Sequence, residues 1–391
     1  MRLSPLKVLF IPAWYPSRVS PLSGIFTQRH AEAIKNDVSV FVLYVCADKM
    51  LPTQFQFDKS VEKGIPVLRA FFKKGQKRNL IFKITYTIRY IVAMVLGYWK
   101  ARKNFGKPDL IHVHVLTRSA ILPMLLFGLQ KIPYVITEHW SRYLPEDNTY
   151  KGFLRKRVTE LAVKYSKGVA CVSNALINGM HRNGLWQAHF RQISNVVDTE
   201  LFKPTPVEKM DKKCFLHVSS FDPESKNVKG IIDAAYLADQ EKMSFLLYLV
   251  GDGGHRKELQ DYSRSLNFEN VEIIFTGEVY REQLVNYFNL ADAFILFSYY
   301  ENQPCVVLES FACGLPVIGS NAGGIPELVT EDSGILVEPA NITALKDAMK
   351  RFLDDELSFD RDFIRNKAVA NFSYEAVCKK MLQFYQEAEL N

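Results

Sequence analysis

The sequence predicts two doubly wound α/β domains, and three observations carry that prediction. The chain has 391 residues, more than the roughly 100–200 of one ordinary domain. Short apolar, β-branched runs recur in both halves, each followed by a turn and a stretch of helical periodicity. A Pro- and Lys-rich stretch, residues 202–213 with Pro204 and Pro206, separates the halves. Hydrophobic residues at 48% and charged residues at 23% exclude a disordered or fibrous chain.

In the first half the apolar runs are 8–11, 38–45, 110–114, 134–137 and 168–172. In the second they are 215–219, 245–250, 271–275, 293–297, 316–318 and 334–337. They are continuous rather than alternating, the pattern of parallel strands buried on both faces, so helices are expected to cover both sides of each sheet. Residues 374–390 place Val377, Met381, Phe384 and Tyr385 at helical spacing and either end the second domain or return to the first. The expected division is 1–204, 205–373 and a C-terminal helix in 374–391. Ligands of open parallel sheets bind outside the carboxyl ends of the strands, so residues directly after the apolar runs are the candidates for chemistry.

The net charge of +7 conceals an asymmetry. Residues 1–204 hold 31 Lys and Arg against 12 Asp and Glu, a net +19, whereas the remainder holds 18 against 30, a net −12. Residues 63–108 contain twelve basic residues and no acid, which points to an anionic partner. Six scattered cysteines without a CxxC pair predict a reducing compartment. The first twelve residues lack the features of a secretory signal. The apolar stretch 80–99 carries Lys83 and Arg89 and falls short of the ~18 uncharged residues of a spanning helix, so it reads as an interfacial helix.

The densest candidate site is Ser298-Tyr-Tyr-Glu-Asn-Gln-Pro-Cys-Val-Val-Leu-Glu, directly after the run ending at Phe297. Pro304 suits a helix start. Glu309 then falls in the second turn and Glu301 in the preceding loop. The N–H groups of Asn302, Gln303, Cys305 and Val306 can face an anion, and a carboxylate on the helix can accept hydrogen bonds from a vicinal diol. Two glutamates bracketing a helix start also serve capping alone, but the strand, turn, proline and following Cys313-Gly-Leu-Pro-Val segment favour a ligand site.

This stretch resembles the Glu-x7-Glu signature of retaining glycosyltransferases of family 4. Their GT-B fold sets two facing Rossmann-like domains around an interdomain cleft that holds a nucleotide-sugar, with a C-terminal helix crossing back to the first domain. The resemblance covers nearly the whole chain. Asn195-Val-Val-Asp-Thr-Glu-Leu-Phe-Lys-Pro resembles the family's interdomain segment, Leu249-Val-Gly-Asp-Gly its second-domain glycine turn, and Ala322-Gly-Gly-Ile-Pro-Glu the later glycine loop. Phe372-Ser-Tyr resembles the start of the C-terminal helix.

The resemblance implies that Glu309 binds the ribose hydroxyls, and that Glu301, with backbone groups of Asn302 and Gln303, holds the donor sugar. Counting back from Ala234 sets Lys226, rather than Lys229, on the lysine that grips the diphosphate. Gly251 belongs to the donor-site glycine turn, and Ser219-Ser220 stands where the family has an arginine, so Ser220 takes the place of one phosphate-facing charge. Gly24 lies before a helix expected from about Thr27 and permits close backbone approach to a phosphate. The family often has two glycines there; the first is Ser23 in this chain. His139, in Thr137-Glu-His-Trp-Ser, falls where a family histidine meets the donor sugar.

Catalysis is expected from donors aimed at the departing diphosphate: Lys226, the Gly24 helix start and the amides near Asn302. No metal or cofactor is expected, because the nucleotide-sugar is a substrate. His112 and His114 share a strand face with no third ligand nearby, and the only Asp-x-Asp, Asp360-Arg-Asp362, lies in a late polar stretch. The expected partners are a nucleotide-diphosphate sugar, a glycan or lipid-linked acceptor and an anionic membrane surface, with no nucleic acid. The membrane expectation rests on residues 71–103, which interleave Phe71, Phe72, Tyr86, Tyr90, Tyr98 and Trp99 with basic residues. A helix whose apolar side is core explains the same pattern. The expected place is the cytoplasm, peripheral on the inner face of its membrane. Rival readings are a GT-B nucleotide-sugar epimerase and a non-enzymatic polyanion or membrane binder. A dinucleotide oxidoreductase is disfavoured because no G-x-G-x-x-G follows an apolar run.

Overall fold

The computed structural model describes residues 5–75, 80–116, 118–147, 149–208 and 210–390; Lys77 and Arg78 of the basic run lie outside them. The chain forms two units, Met1–Val196 with Tyr374–Asn391, and Val197–Ser373.

The first unit runs β1 (Lys7–Pro12), α1 (Ile25–Ile34), β2 (Ser39–Asp48), β3 (Phe55–Glu62), β4 (Ile65–Lys73), α2 (Leu80–Phe105), β5 (Leu110–His114), α3 (Ile121–Gln130), β6 (Tyr134–Glu138), α4 (Phe153–Tyr165), β7 (Val169–Cys171), α5 (Asn174–Arg182) and β8 (Phe190–Gln192). Its strands are ordered β3-β4-β2-β1-β5-β6-β7-β8, and all pair in parallel except β3 with β4. Alternate residues of one strand enter different cores. Leu9 and Ile11 pack under α2 to α5, while Val8 and Phe10 pack under α1 and the C-terminal helix. Both faces are therefore covered, which is why β1 reads as a continuous apolar run.

The second unit runs β9 (Cys214–Ser219), α6 (Val228–Gln240), β10 (Phe245–Gly251), α7 (Arg256–Ser265), β11 (Val271–Gly277), α8 (Arg281–Leu290), β12 (Ala293–Leu296), α9 (Cys305–Ala312), β13 (Val317–Ser320), β14 (Gly334–Val337), α10 (Ile342–Leu353) and α11 (Arg361–Phe372). Its parallel sheet is ordered β11-β10-β9-β12-β13-β14. The last helix, α12 (Tyr374–Leu390), belongs to the first unit, where Tyr385 OH meets His112 Nδ1 at 2.7 Å and Tyr374 OH donates to Glu32 at 2.8 Å.

Three expectations need correction. The units divide at Val196/Val197 rather than at 204, because Val197 and Phe202 pack into the second core and Arg365 binds the carbonyls of Thr199 and Phe202. The hairpin β3–β4 and the short β8 were not among the expected strands. Most consequentially, the aromatic residues of 71–103 are largely core. Phe71 and Phe72 lie on β4 at 1% and 0% exposure, and Tyr90 and Tyr98 of α2 are buried with them. Part of the basic run is neutralised within the chain, Lys63 by Glu32 and Arg69 by Glu62. Among the described residues no helix is long and apolar enough to cross a membrane.

Candidate active site

The carboxyl ends of β9, β10 and β12 bring the second unit's candidates together. Lys226, in the loop between β9 and α6, donates to Glu301 Oε1, which also accepts from Ser298 Oγ at 3.3 Å. Both side chains are mostly buried, at 21% and 13% exposure. Lys229 faces elsewhere: it bonds Asp233 at 2.9 Å and Tyr262 OH at 3.1 Å, and lines a cavity of about 430 Å³ with Asp233 rather than with Lys226. The loop that carries Lys226 is fixed by its neighbours. Asn227 caps α6 by accepting from Gly230 N at 3.1 Å, Tyr299 OH donates to the same Oδ1 at 3.1 Å, and Tyr299 N donates to Ser225 O at 2.8 Å.

Glu301 is held from the other side by the Ala322-Gly-Gly loop, whose Gly324 N donates to Glu301 O at 2.9 Å. Pro304 takes the N-cap position of α9 and Glu309 lies in the second turn, buried at 6% exposure. Asn302 and Gln303, expected to present open N–H groups, are themselves buried. Gly251 ends β10 against Ser219 O, and Ser220 is exposed beside that junction. The Ser219 hydroxyl accepts from Phe221 N and bonds His217 Nε2 at 2.8 Å, and burial holds His217 down at about 4, so His217 itself supplies no charge in place of the family arginine.

In the first unit, Gly24 precedes α1, which starts at Ile25 rather than near Thr27. Its φ of 73° and the Trp14 carbonyl oxygen 2.2 Å from a Cβ position both require glycine, so the chain's own backbone fills the space beside it. His139 follows β6, whose last residue Glu138 is fully buried and accepts from the N–H groups of Leu116, His139 and Trp140. Burial raises the Glu138 carboxyl, and those bonds oppose the shift.

His139 joins a cluster that the sequence did not reveal. Its Nδ1 meets Asn195 Oδ1 at 3.1 Å and its Nε2 meets His114 Nδ1 at 3.2 Å. His30 Nε2 meets Ser194 O at 3.0 Å, and His30 Nδ1 and His114 Nε2 have no partner. Burial, then the neighbouring imidazoles, hold His114 and His139 well below the usual imidazole range, and His30 falls to about 4. The cluster is therefore neutral at pH 7. Among the described residues, His30, His114 and His139 bring one nitrogen each to within 4.8 Å of one another, a donor set of zinc type. The expectation that His114 has no third ligand nearby is thus corrected, while His112 is engaged by Tyr385 and by Thr137 Oγ1 at 2.7 Å.

Asn195, read from sequence only as part of an interdomain segment, is the residue that orients His139. No local spacing signals it, because the partners lie 56 residues apart. Trp14 and Trp140 were also not singled out, although their rings lie 4.8 Å apart and Phe26 packs on His139 at 4.5 Å.

Comparison with known proteins agrees with this architecture. Residues 66–201 match the model described as Glycosyltransferase Family 4, and residues 198–369 match that of Glycosyl transferases group 1. TuaC of Bacillus subtilis (strain 168), assigned by its name to teichuronic acid biosynthesis, is 26% identical over 375 residues, 90% of either chain. The UDP-Gal:alpha-D-GlcNAc-diphosphoundecaprenol alpha-1,3-galactosyltransferase of Escherichia coli is 25% identical over 83% of this chain and 85% of its own. Among solved structures, sucrose-phosphate synthase from Thermosynechococcus elongatus superposes at a TM-score of 0.77, covering 98% of this chain and 99% of that one at 20% identity. The fold is GT-B. The chain is a glycosyltransferase of GT-B type.

Proposed function

We propose that this chain transfers a sugar from a nucleotide-diphosphate sugar to a glycan or lipid-linked acceptor, with retention at the anomeric carbon, without a metal, in the making of a cell-surface polysaccharide or glycolipid. The observation that carries the reading is the Lys226–Glu301 ion pair at the carboxyl ends of the second sheet's strands. The acceptor class draws support from the Escherichia coli relative, whose name gives a diphosphoundecaprenol acceptor and a UDP-sugar donor.

Each member of the pair is the other's counter-ion until the donor arrives. The diphosphate then competes for Lys226 and frees the Glu301 carboxylate to accept hydroxyls of the donor sugar. Glu309 accepts the ribose hydroxyls. Negative charge grows on the diphosphate as the anomeric bond breaks, so the attraction to Lys226 strengthens in the transition state, which is what accelerates the step. The leaving phosphate oxygen takes the acceptor's proton.

Metal-free chemistry fits the place of the Asp-x-Asp pair. Asp360 caps α11 by accepting from Phe363 N at 2.9 Å, and Asp362 lies in that helix's first turn. The residues after 204 carry a net −12, so an anionic donor must rely on local groups such as Lys226 rather than on the field of its unit. Attachment to the inner face of the cytoplasmic membrane accords with a lipid-linked acceptor. The test is transfer by Glu309→Ala and Lys226→Ala proteins shown to be folded by circular dichroism: loss in both is expected, and near-normal turnover in either removes that residue's role. Incubation with donor alone separates an epimerase, which converts the donor without acceptor.

A further inference from the structure

We infer that the outer face of α2, α3 and α4 docks on the surface of an anionic lipid bilayer. These helices lie side by side over one face of the first sheet, α3 touching both neighbours. α2 is apolar on two sides. Tyr90, Met94 and Tyr98 enter the core, while Ile84, Ile88, Val92, Leu96 and Trp99 form a second stripe that is 37% to 54% exposed. Their spacing of three and four residues sets them on one side of the helix, over a length of about 22 Å. The stripe continues onto α3 with Leu125 and Leu129, and onto α4 with Leu154, Leu161 and Tyr165, whose exposures run from 41% to 81%. Scattered exposed apolar residues need no explanation, but contiguous ones mark an interaction site.

Charge identifies the occupant. Along α2, α3 and α4 there are nine Lys and Arg and one acid, Glu160, which is paired with Arg157. The exposed aromatics each carry a cation: Arg102 lies 5.5 Å from the Trp99 ring, Arg157 5.7 Å from Phe153 and Lys164 6.0 Å from Tyr165. Exposed apolar groups interleaved with cations match the boundary between acyl chains and anionic headgroups. No described helix is long and apolar enough to span, so the face lies on the bilayer. This surface replaces the buried aromatics of 71–103 as the docking element. It rests on the transfer reading only for what attachment serves, namely reaching a lipid-linked acceptor.

The test is cosedimentation of the full chain with phosphatidylglycerol–phosphatidylcholine vesicles and with phosphatidylcholine alone, at low and high salt. Wild type is expected to pellet with the anionic vesicles only, less so as salt rises. Trp99→Ser/Leu154→Ser and Lys100→Glu/Lys103→Glu are expected to lower the bound fraction at least tenfold with unchanged Tm, and Phe363→Ser of the second unit to leave it alone. Absence of wild-type binding to anionic vesicles, or equal binding by folded variants, overturns the inference. So does a lipid-free dimer that Leu154→Ser converts to monomer, which assigns the face to a second copy. Nucleotide-diphosphate binding, measured by calorimetry on the same proteins without lipid, reports separately on the transfer reading.

Discussion

Lys226 and Glu301 are bonded to each other across 75 residues of sequence, one before α6 and one after β12. Each was expected to face a different part of the donor, the lysine the diphosphate and the glutamate the sugar. Their pairing makes donor binding an exchange of counter-ions. Lys226→Ala is expected to lower kcat/KM about 10²–10³-fold, the usual effect of removing one preorganised electrostatic donor, and to act on kcat as well as KM. Lys226→Gln should behave like alanine in steady-state kinetics. A tenfold or smaller loss in both would place the phosphate grip elsewhere.

Asn227 couples the stability of α6 to the position of Lys226. It sits at φ 45° and caps the helix with the oxygen that also receives Tyr299 OH. Asn227→Ala removes the cap and puts a residue of poor left-handed tolerance there, so it is expected to cost about 2–3 kcal/mol, each effect contributing about 1–2. Asn227→Gly tolerates the backbone angle and should cost less. Thermal unfolding ranks the two. Donor KM should rise in both, since Lys226 is the adjacent residue; an equal cost for Ala and Gly would show that the angle imposes no penalty.

The buried histidines predict acid lability in both units. His30 in the first and His217 in the second are held at about 4 by burial, whereas an unfolded imidazole titrates near 6.5. Below 6.5 the unfolded chain binds protons that the folded chain refuses, so stability falls with pH and levels off only below about 4. A fall from 6.5 to about 4 corresponds to roughly 3 kcal/mol for each group when complete. His112, His114 and His139 act in the same direction. Urea unfolding at pH 7.5 and pH 5 should show the loss, and equal midpoints would contradict it.

Gly24→Ala should be severe for a residue in a loop. It adds a positive-φ cost and sets a methyl group against the Trp14 carbonyl, so a loss of about 2 kcal/mol or more is expected unless the loop moves. Denaturation of the variant measures this. A change within about 0.5 kcal/mol would mean that Trp14 and Tyr15 yield freely.

The sheets were legible where burial on both faces writes an uninterrupted apolar run, as in β1, β2, β9 and β10. β3 was not, because an edge strand carrying Asp58, Lys59 and Glu62 reads as surface. β4 was hidden by Pro66 and Arg69, the latter neutralised by Glu62 on the adjacent strand. Of the aromatics of 71–103, Trp99 is exposed as expected, but Phe71, Phe72, Tyr90 and Tyr98 are core, for a physical reason: core and interface use the same residues, and sequence does not say which side of α2 meets the sheet. Of the candidate site, motif register singles out Glu301, Glu309 and Lys226 one at a time. The contacts within each unit, Lys226 with Glu301 in the second and His139 with Asn195 and His114 in the first, join segments far apart in sequence and leave no local signature.

The central claim is that Lys226 holds the diphosphate of a nucleotide-sugar. A thermal-shift titration with UDP, GDP and ADP tests it most directly, since a ligand bound to the folded state alone at 100 times its Kd stabilises by about 2.7 kcal/mol. At least one of the three should raise the Tm of wild type, and the same nucleotide should leave Lys226→Ala unmoved. A response to none of them, or an equal response with and without Lys226, would contradict the account.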